Sequence, residues 1–438
     1  MKNPSPRHLS SALRTPGALA AASRPAAPPL LCRLAAAAAL CAALVLGGCG
    51  AGQAPFSEEA DPPAPAPAPA EPAQPAEPPS APTPEELLEQ RVDATMASMT
   101  QEQKVAQLFI VTPEAITGVE TATQAGDTTR AALASYPVGG LVYFQKNLLN
   151  PEQTAQMLAN SQAYAREVVD APLFCCVDEE GGTVSRIGGN SGFDVENVGN
   201  MADVGATGDQ EKAQSTAETI AGYLSQLGFN VDFAPDADVA DNPESNVMAL
   251  RSFGADPSLV ASMVAAQVDG FSAKGVLCTA KHFPGIGAAV GDSHDGSIGS
   301  DKTLDQLDEV ELVPFKAAIE HDVPFVMVGH LSLPNVTGSD VPASLSPDIV
   351  TGVLRERLGY QNVVVTDSLG MGAVSAWCAP DQVAVEALLA GADMVLMPAD
   401  FQAAYQGALD ALADGRLTQD RIDDSVRRIL TMKYARLD

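Results

Sequence analysis

The sequence predicts an α/β protein whose single folded domain is a (β/α)8 barrel of the TIM type. From about residue 86 to residue 438, short apolar runs alternate with amphipathic stretches of helical period. Regular alternation of this kind indicates strands that lie parallel in one sheet. Eight such units in roughly 350 residues fit a closed barrel with insertions better than an open doubly wound sheet, and no Gly-x-Gly-x-x-Gly pattern follows the first strand.

The predicted strands are short apolar runs, and the predicted helices between them have one apolar face. The strands cover Val105–Val111, Gly140–Phe144, Leu173–Val177, Val231–Ala234, Val276–Ala280, Phe325–Val328, Val363–Thr366 and Met394–Met397. The helices include Pro151–Val168, Gln210–Leu227, Pro257–Lys274, Thr303–Glu320 and Asp381–Ala390. Because active sites of such barrels lie at the carboxyl ends of the strands, the residues that directly follow each strand are the candidates for chemistry.

Residues 1–48 are typical of an export signal. Five basic residues and no acidic residue occur in this segment, and the last basic residue precedes the apolar run Leu34–Leu46. This run is shorter than the about 20 residues that a membrane-spanning helix needs. Leu46-Gly47-Gly48-Cys49 follows and resembles a bacterial lipobox. We therefore expect cleavage before Cys49 and lipid on that residue, with an uncleaved anchor as the alternative.

Residues 49–85 are rich in Pro, Ala and Glu and contain almost nothing that could pack, which predicts a disordered tether between the lipid and the catalytic domain, residues 86–438. The whole chain has 25 basic and 55 acidic residues, a net charge of −30. Such a surface repels nucleic acid and anionic membrane faces. The charge therefore favours a neutral ligand and excludes a nucleic-acid partner.

Polar motifs follow the third, fourth, fifth and seventh predicted strands. They are DEEGGTVSR (178–186), GFNVDFAP (228–235) with RSFG (251–254), KHFPGIG (281–287) with DSH (292–294), and TDSLGM (366–371). One such motif could be structural, but several at successive strand ends are the mark of an active site.

Together these motifs resemble the β-N-acetylglucosaminidase branch of glycoside hydrolase family 3, the β-N-acetylhexosaminidases. The resemblance covers nearly the whole of residues 86–438, including the C-terminal segment Gly415–Leu430, which is similar to the final helix of that family. It implies an enzyme that removes terminal β-linked N-acetylglucosamine from cell-wall-derived saccharides with retention of configuration. Departures from the family pattern are Thr183 and Ile286, where many members carry Arg and His.

Carried over to this sequence, the resemblance makes Asp367 the nucleophile, His294 the general acid/base and Asp292 the residue that orients His294. It also implies a sugar-binding set, which consists of Asp178, Arg186, Arg251, Lys281 and His282. The chain contains no metal-ligand motif of the H-E-x-x-H or C-x-x-C kind. We therefore expect neither a metal ion nor another cofactor.

The implied roles agree with general chemistry. Cleavage of a glycosidic bond needs a proton for the leaving oxygen and a carboxylate that faces the anomeric carbon. An imidazole with a pKa near 6.5 can donate at neutral pH with little adjustment, whereas a glutamic acid would need a pKa raised by about two units. The two-residue spacing of Asp292 and His294 lets the carboxylate accept a hydrogen bond from one ring nitrogen while the other faces the substrate.

Plainer interpretations stay open. Asp367 could only cap the next segment, His294 could be a solvated loop residue, and Lys281 and Arg251 could pair with strand-end carboxylates for stability. His330 could line the pocket or belong to the core, and His321 is expected at the surface. The four cysteines beyond the leader, of which Cys378 is the last, are interpreted as mostly buried thiols. Competing functions are a family 3 β-glucosidase and a sugar-binding lipoprotein without activity. A serine esterase is disfavoured because no G-x-S-x-G elbow occurs.

The lipobox generates a prediction about location. Changing Cys49 to Ala removes the thiol that would carry the lipid, so the variant should leave the membrane fraction when cells are fractionated and probed by immunoblotting. Equal membrane association of the variant and the wild type would contradict the lipoprotein interpretation.

Overall fold

Parallel strands form the inner layer of the computed structural model, which describes residues 81–242, 248–287, 289 and 298–438. The strands, in chain order, are β1 Phe109–Val111, β2 Gly140–Val142, β3 Phe174–Val177, β4 Glu179–Gly181, β5 Val184–Ser185, β6 Val231–Asp232, β7 Thr279–Phe283, β8 Ile298–Gly299, β9 Phe325–Val328, β10 Leu331–Ser332, β11 Val363–Thr366 and β12 Val395–Leu396. The predicted export signal and most of the predicted tether lie outside the described residues.

Helices form the outer layer. They are α1 Pro84–Ser98, α2 Gln101–Gln107, α3 Pro113–Thr117, α4 Asp127–Ser135, α5 Pro151–Arg166, α6 Met201–Gly205, α7 Gln210–Leu227, α8 Pro257–Ala273, α9 Leu304–Glu309, α10 Leu312–Glu320, α11 Pro334–Thr337, α12 Gly372–Ser375, α13 Pro380–Ala390, α14 Phe401–Ala413 and α15 Gln419–Leu437. A π-helix covers Asp348–Arg357, and short 3-10 turns cover Gln145–Asn147 and Ala343–Leu345. Within the described ranges, none of the helices combines the length and apolarity needed to cross a bilayer.

Two parallel sheets build a TIM-barrel-like arrangement. One sheet has the order β12-β1-β2-β3-β6 and the other has the order β11-β9-β7. Single bridges join them at both edges, because Val231 of β6 pairs with Leu277 and Val365 of β11 pairs with Met394. The prediction of an α/β fold with parallel strands is therefore confirmed.

The interior is closed at the amino ends of the strands by aromatic packing. Phe174 on β3 and Phe325 on β9 belong to different sheets, and their ring centroids lie 5.2 Å apart in an edge-to-face contact. Lys433 of the final helix lies over the Phe174 ring at 4.8 Å and donates a hydrogen bond to Gln107. These contacts leave the opposite ends of the strands free to build a site.

Two predicted strands are wrong in their boundaries for identifiable reasons. The segment from Val105 begins in helix α2 rather than in a strand, since Thr100 and Gln103 form a reciprocal capping box that starts the helix. The fifth strand runs to Phe283 instead of ending at Ala280. Sequence reasoning ended it before the charged residues, whereas the fold buries them inside the strand.

The predicted helix 303–320 is also wrong as one continuous element, because it divides into α9 and α10 at Val310, whose φ of −129° and ψ of −76° are not helical. Pro314 explains the break. A proline ring clashes with the carbonyl of the residue four positions earlier and provides no N–H for it, and that residue is Val310. The interruption places Glu311 at the start of α10, where it is buried.

The expectation of buried thiols is confirmed for the cysteines of the described part of the chain. Cys175, Cys176 and Cys278 are buried free thiols, and Cys378 is a half-buried one. Burial raises the pKa of the Cys175 thiol to about 12, so this group is neutral and packs as a small apolar side chain.

A buried carboxylate joins several elements at the amino end of β12. Asp393, fully buried, accepts hydrogen bonds from the Val364 amide at 2.9 Å and from the Ser425 hydroxyl at 2.7 Å. It also pairs with Arg355 of the π-helix and with Arg428 of α15. The carboxylate thus ties a central strand to two outer helices.

Asp393→Ala should destabilise the fold by about 3–5 kcal/mol, because it leaves two partly buried guanidinium groups and a buried amide without their acceptor. Urea unfolding followed by circular dichroism measures this change. The control is Asp410→Ala, at an exposed position of α14, which should change stability by no more than about 0.5 kcal/mol. Similar losses in the two variants would show that Asp393 has no special structural role.

Candidate active site

A cavity of about 620 Å³ lies at the carboxyl ends of the barrel strands. Its wall contains residues from each of the four sequence motifs, including Asp178, Arg251, Lys281 and Asp367. Apolar side chains such as Phe144 complete the wall. A concave site with convergent charged groups is where a small ligand is expected to bind.

The DEEGG motif leaves β3 and turns into the β4–β5 hairpin. Glu179 is buried and accepts hydrogen bonds from the Ser185 and Tyr223 hydroxyls and from the amides of residues 186, 187 and 188. Gly181 and Gly182 have φ values of +94° and +56°, which allow the tight turn. Glu179 therefore fixes the hairpin, and its neighbours Asp178 and Glu180 line the cavity.

Glu180 is the centre of a buried ion cluster. Its two oxygens accept a bidentate pair of hydrogen bonds from Arg251, both 2.8 Å long, and Lys281 Nζ lies 2.7 Å from Oε1. Lys281 also donates to Asp178 at 2.9 Å. Burial alone would raise the pKa of Glu180, but the two cations outweigh it and hold this pKa well below its usual range. The cluster places two cations and two carboxylates in one rigid wall.

His282 is buried beside this cluster and has defined partners on both ring nitrogens. Nδ1 lies 2.8 Å from Asp238 Oδ2, and Nε2 lies 3.3 Å from Arg251 Nη2. Burial, assisted by Arg251, lowers the pKa of His282 to about 4. At neutral pH the ring is therefore neutral, with the Nδ1 proton donated to Asp238 and Nε2 accepting from Arg251.

Asp367 follows β11 and lies at the cavity wall, half-buried. Its own amide donates to the Val328 carbonyl at 2.8 Å, and the Ser368 amide donates to Oδ1 at 2.7 Å. Burial works against the charge, but the imidazoles of His282 and His330 and the Ser368 amide outweigh it, so the pKa of Asp367 is below its ordinary value. Asp367 is therefore an ionised carboxylate at neutral pH.

Arg186 also lines the cavity, and its guanidinium lies 5.7 Å from the centroid of the Phe144 ring. Among the residues that the structure describes, it forms no ion pair, and Nε is buried without a hydrogen-bond partner. The structure thus brings Asp178, Arg186, Arg251, Lys281, His282 and Asp367 to one cavity.

The remaining predicted catalytic residues, Asp292 and His294, lie outside the described residues, as does the predicted lipidation site Cys49. His330 belongs to the core rather than to the cavity wall: it is 2% exposed and hydrogen bonds to the Ser344 hydroxyl and the Ser368 carbonyl. His321 lies at the end of α10 and is partly exposed, as expected.

Sequence reasoning missed two residues that organise the site. Glu180 was passed over within a motif that contains three consecutive acids. Asp238 lies among other aspartates in the loop after β6 and orients His282. One signal in the sequence could have indicated them. If Lys281 and His282 are buried in a strand, other buried polar groups must form hydrogen bonds or ion pairs with them, and nearby acidic residues are the candidates.

Asp236, Asp238 and His282 are the described residues whose ligand atoms lie close enough together to suggest a metal ion, all within 4.8 Å. Their surroundings do not fit a dication. Nδ1 of His282 already hydrogen bonds to Asp238, and the Arg251 guanidinium lies 3.5 Å from Asp236 Oδ2. Burial and the adjacent Asp238 carboxylate raise the pKa of Asp236, so these groups are better explained as a hydrogen-bonded network.

The family is established by comparison with known proteins. Residues 100–432 match the model of the glycosyl hydrolase family 3 N terminal domain. The chain belongs to glycosyl hydrolase family 3. The family 3 match includes every described residue of the candidate site, among them Asp178 after β3 and Asp367 after β11.

Several β-hexosaminidases are similar to this family 3 chain. It is 35% identical to β-hexosaminidase A of Pseudoalteromonas piscicida, over 69% of this chain and 54% of that protein. It is 34% identical to β-hexosaminidase LpqI of Mycobacterium tuberculosis, over 77% of this chain and 84% of that protein. The chain thus spans about half the length of the Pseudoalteromonas enzyme and most of the mycobacterial one.

Solved structures agree with this assignment. A family 3 β-N-acetylglucosaminidase from a Paenibacillus species superposes with a TM-score of 0.72 and 39% identity, over 77% of this chain and 63% of that one. LpqI of M. tuberculosis superposes with a TM-score of 0.69 and 32% identity, over 78% of this chain and 96% of that one. Both the fold and the family are therefore shared.

The ion cluster predicts a pH-dependent contribution to stability. Glu180→Gln leaves Lys281 and Arg251 without their shared carboxylate and should lower the free energy of unfolding at pH 7 by about 3 kcal/mol. Because the folded-state pKa of Glu180 is depressed, this contribution is complete above the unfolded pKa of about 4.3. It declines by up to about 1.4 kcal/mol per pH unit below that value.

Urea unfolding of both proteins at pH 7 and pH 3.5 measures the difference. The matched control is Glu356→Gln, at an exposed position of the π-helix, which should be nearly neutral at both pH values. A Glu180→Gln effect that is as large at pH 3.5 as at pH 7 would argue against a charge-based role.

Proposed function

We propose that this protein is a β-N-acetylhexosaminidase, which hydrolyses terminal non-reducing β-linked N-acetylglucosamine by a retaining double displacement. The observation that carries the proposal is the ionised Asp367 at the wall of a cavity where Asp178, Glu180, Arg251 and Lys281 are already paired with one another. A carboxylate that is kept ionised and has an oxygen without a fixed partner is suited to attack an anomeric carbon.

Sugar binding is assigned to the ion cluster. Lys281 has three N–H donors and gives two of them to Asp178 and Glu180. The side chain of Asp178 is 23% exposed, so it can accept hydrogen bonds from sugar hydroxyls. Since each ion already has a partner, the cluster presents donors and acceptors without a net charge that would require a charged ligand.

The proposed reaction needs an acid as well as a nucleophile. His294, oriented by Asp292, would protonate the leaving oxygen while Asp367 forms the covalent glycosyl-enzyme. The imidazole would then take a proton from the water that releases the sugar. His282 is a poor alternative acid, because its pKa is about 4 and both of its ring nitrogens have protein partners.

The setting of the enzyme is part of the same proposal. A closed (β/α)8 barrel would form one catalytic domain, carried by the tether of residues 49–85 on a lipid at Cys49, at the outer face of the cell membrane. Such an anchor favours saccharides derived from the cell wall as substrates. The curated names of the relatives, β-hexosaminidase in both cases, support the activity.

An aryl glycoside panel tests this function. The protein should release nitrophenol from 4-nitrophenyl β-N-acetylglucosaminide much faster than from 4-nitrophenyl β-glucoside. Asp367→Ala should lower turnover of either substrate by roughly 10³-fold or more, because no other carboxylate follows β11. The control Asp340→Ala alters an exposed acid outside the cavity wall and should have no effect.

NMR of the first-formed sugar should show the β-anomer, as retention requires. Preference for the glucoside would move the protein to the β-glucosidase branch of the family. An inverted product, or an Asp367→Ala enzyme with near-normal rates, would rule out the double displacement.

A further inference from the structure

The segment that follows β9 holds the backbone of Asp367 from one side. The Val328 carbonyl, at the end of β9, accepts a hydrogen bond of 2.8 Å from the Asp367 amide. Two residues later, His330 Nε2 lies 2.9 Å from the Ser368 carbonyl oxygen. Because a carbonyl oxygen can only accept, Nε2 carries the hydrogen and the imidazole is the donor. Two groups of one short segment therefore bind consecutive parts of the chain at the proposed nucleophile.

The imidazole is itself fixed by the 3-10 turn Ala343–Leu345. The Ser344 side chain is fully buried, its hydroxyl lies 2.8 Å from His330 Nδ1, and its amide donates to the Gly329 carbonyl at 3.1 Å. In the neutral ring Nδ1 accepts from this hydroxyl, which keeps the hydrogen on Nε2. Gly329 is also closely packed on its other side, since a Cβ added there would lie 3.2 Å from His282 Cβ. The imidazole therefore has little freedom to turn away from its acceptor.

The peptide group that accepts from His330 is also held from β12. Its carbonyl belongs to Ser368 and its N–H to Leu369, and this N–H donates to the Leu396 carbonyl at 2.9 Å. Asp367 and Ser368 thus lie between two anchored groups, and only their own φ and ψ angles could change the direction of the Ser368 amide. That amide donates to Asp367 Oδ1 at 2.7 Å and so sets the orientation of the carboxylate.

We propose that His330 is a positioning residue for the nucleophile. Its hydrogen bond fixes Ser368, whose amide occupies Oδ1 of Asp367 and leaves Oδ2 to attack the anomeric carbon. Within the described ranges, His330 is not part of the cavity wall, so it acts through Ser368 rather than on the sugar. An error of about 1 Å in the position of a reacting group can cost roughly 10²-fold in rate. This inference rests on the proposed role of Asp367 as nucleophile.

The test isolates the step in which Asp367 forms its bond. With 5-fluoro-β-N-acetylglucosaminyl fluoride, the carboxylate bonds to the anomeric carbon while fluoride leaves with the electron pair of the C–F bond, and no proton donor is needed. Intact-protein mass spectrometry follows the labelling, and its dependence on probe concentration separates the rate constant kinact from the binding constant KI. For His330→Met, which has no donor at this position, kinact should fall by roughly 10- to 100-fold while KI changes by no more than about 3-fold.

A conservative variant separates the hydrogen bond from packing. His330→Gln should bring kinact to within about 3-fold of the wild type, because the amide nitrogen of glutamine can donate to the Ser368 carbonyl in place of Nε2. His321→Met, at the partly exposed end of α10, is the matched control and should label like the wild type. Equal kinact losses in the Met and Gln variants of His330, or no loss in either, would overturn the inference.

A further variant guards against misfolding. If circular dichroism shows that His330→Met does not fold, Ser344→Ala decides instead. It removes the hydroxyl that holds the imidazole, so kinact should fall by roughly 3- to 10-fold at an unchanged KI, and an unchanged kinact would contradict the inference. Failure of the proposed function is distinguishable, because peptide mapping would then find no label on Asp367 of the wild-type protein. Label on Asp367 at equal rates in all variants would refute the role of His330 alone.

Discussion

The site depends on the pairing of Glu180 with Lys281 and Arg251. Two cations buried at the ends of neighbouring barrel segments are unfavourable unless a carboxylate meets both of them. Glu180 does so with three contacts of 2.7 to 2.8 Å. Because Glu180 is carried by the β4–β5 hairpin, the pairing also fixes Asp178, another carboxylate of the cavity wall.

The hairpin can provide this carboxylate only because Glu179 holds its backbone. The side chain of Glu179 accepts hydrogen bonds from three consecutive amides and two hydroxyls, without a cation. Adjacent glutamates in one strand point to opposite sides. One of them therefore supports the turn and the other binds the cations, although the two positions look equivalent in the sequence.

Much of the architecture could be predicted because it depends on local signals. The strands Phe325–Val328 and Val363–Thr366 and the helix Gln210–Leu227 have the predicted boundaries, since each has a clear apolar pattern with defined ends. The division of helix 303–320 depends on a single proline, and the extension of β7 depends on partners from distant motifs. A prediction from the local sequence ends the strand at Lys281, because it has no information about the distant carboxylates that make burial of this lysine favourable.

The candidate site was predictable to a similar degree. The four polar motifs that contribute to the cavity wall were found by their position after strands, because parallel strands bring their carboxyl ends to one face. The choice of individual residues within those motifs came from the family resemblance. Asp238 gave no such signal. Its importance comes from contacts with His282 and Ile286, which lie 44 and 48 positions away in the chain, and no local pattern contains such contacts.

The shared use of Asp238 has a consequence for how such a site can diverge. One oxygen of this carboxylate serves an amide of the loop after β7, and the other serves the imidazole of His282. A substitution that re-aimed the imidazole toward a different sugar would also release the loop. Substitutions that change specificity without disturbing the loop are therefore expected at wall positions that Asp238 does not contact, such as Phe144 or Met371. At these positions the sugar preference can change while the catalytic groups keep their geometry.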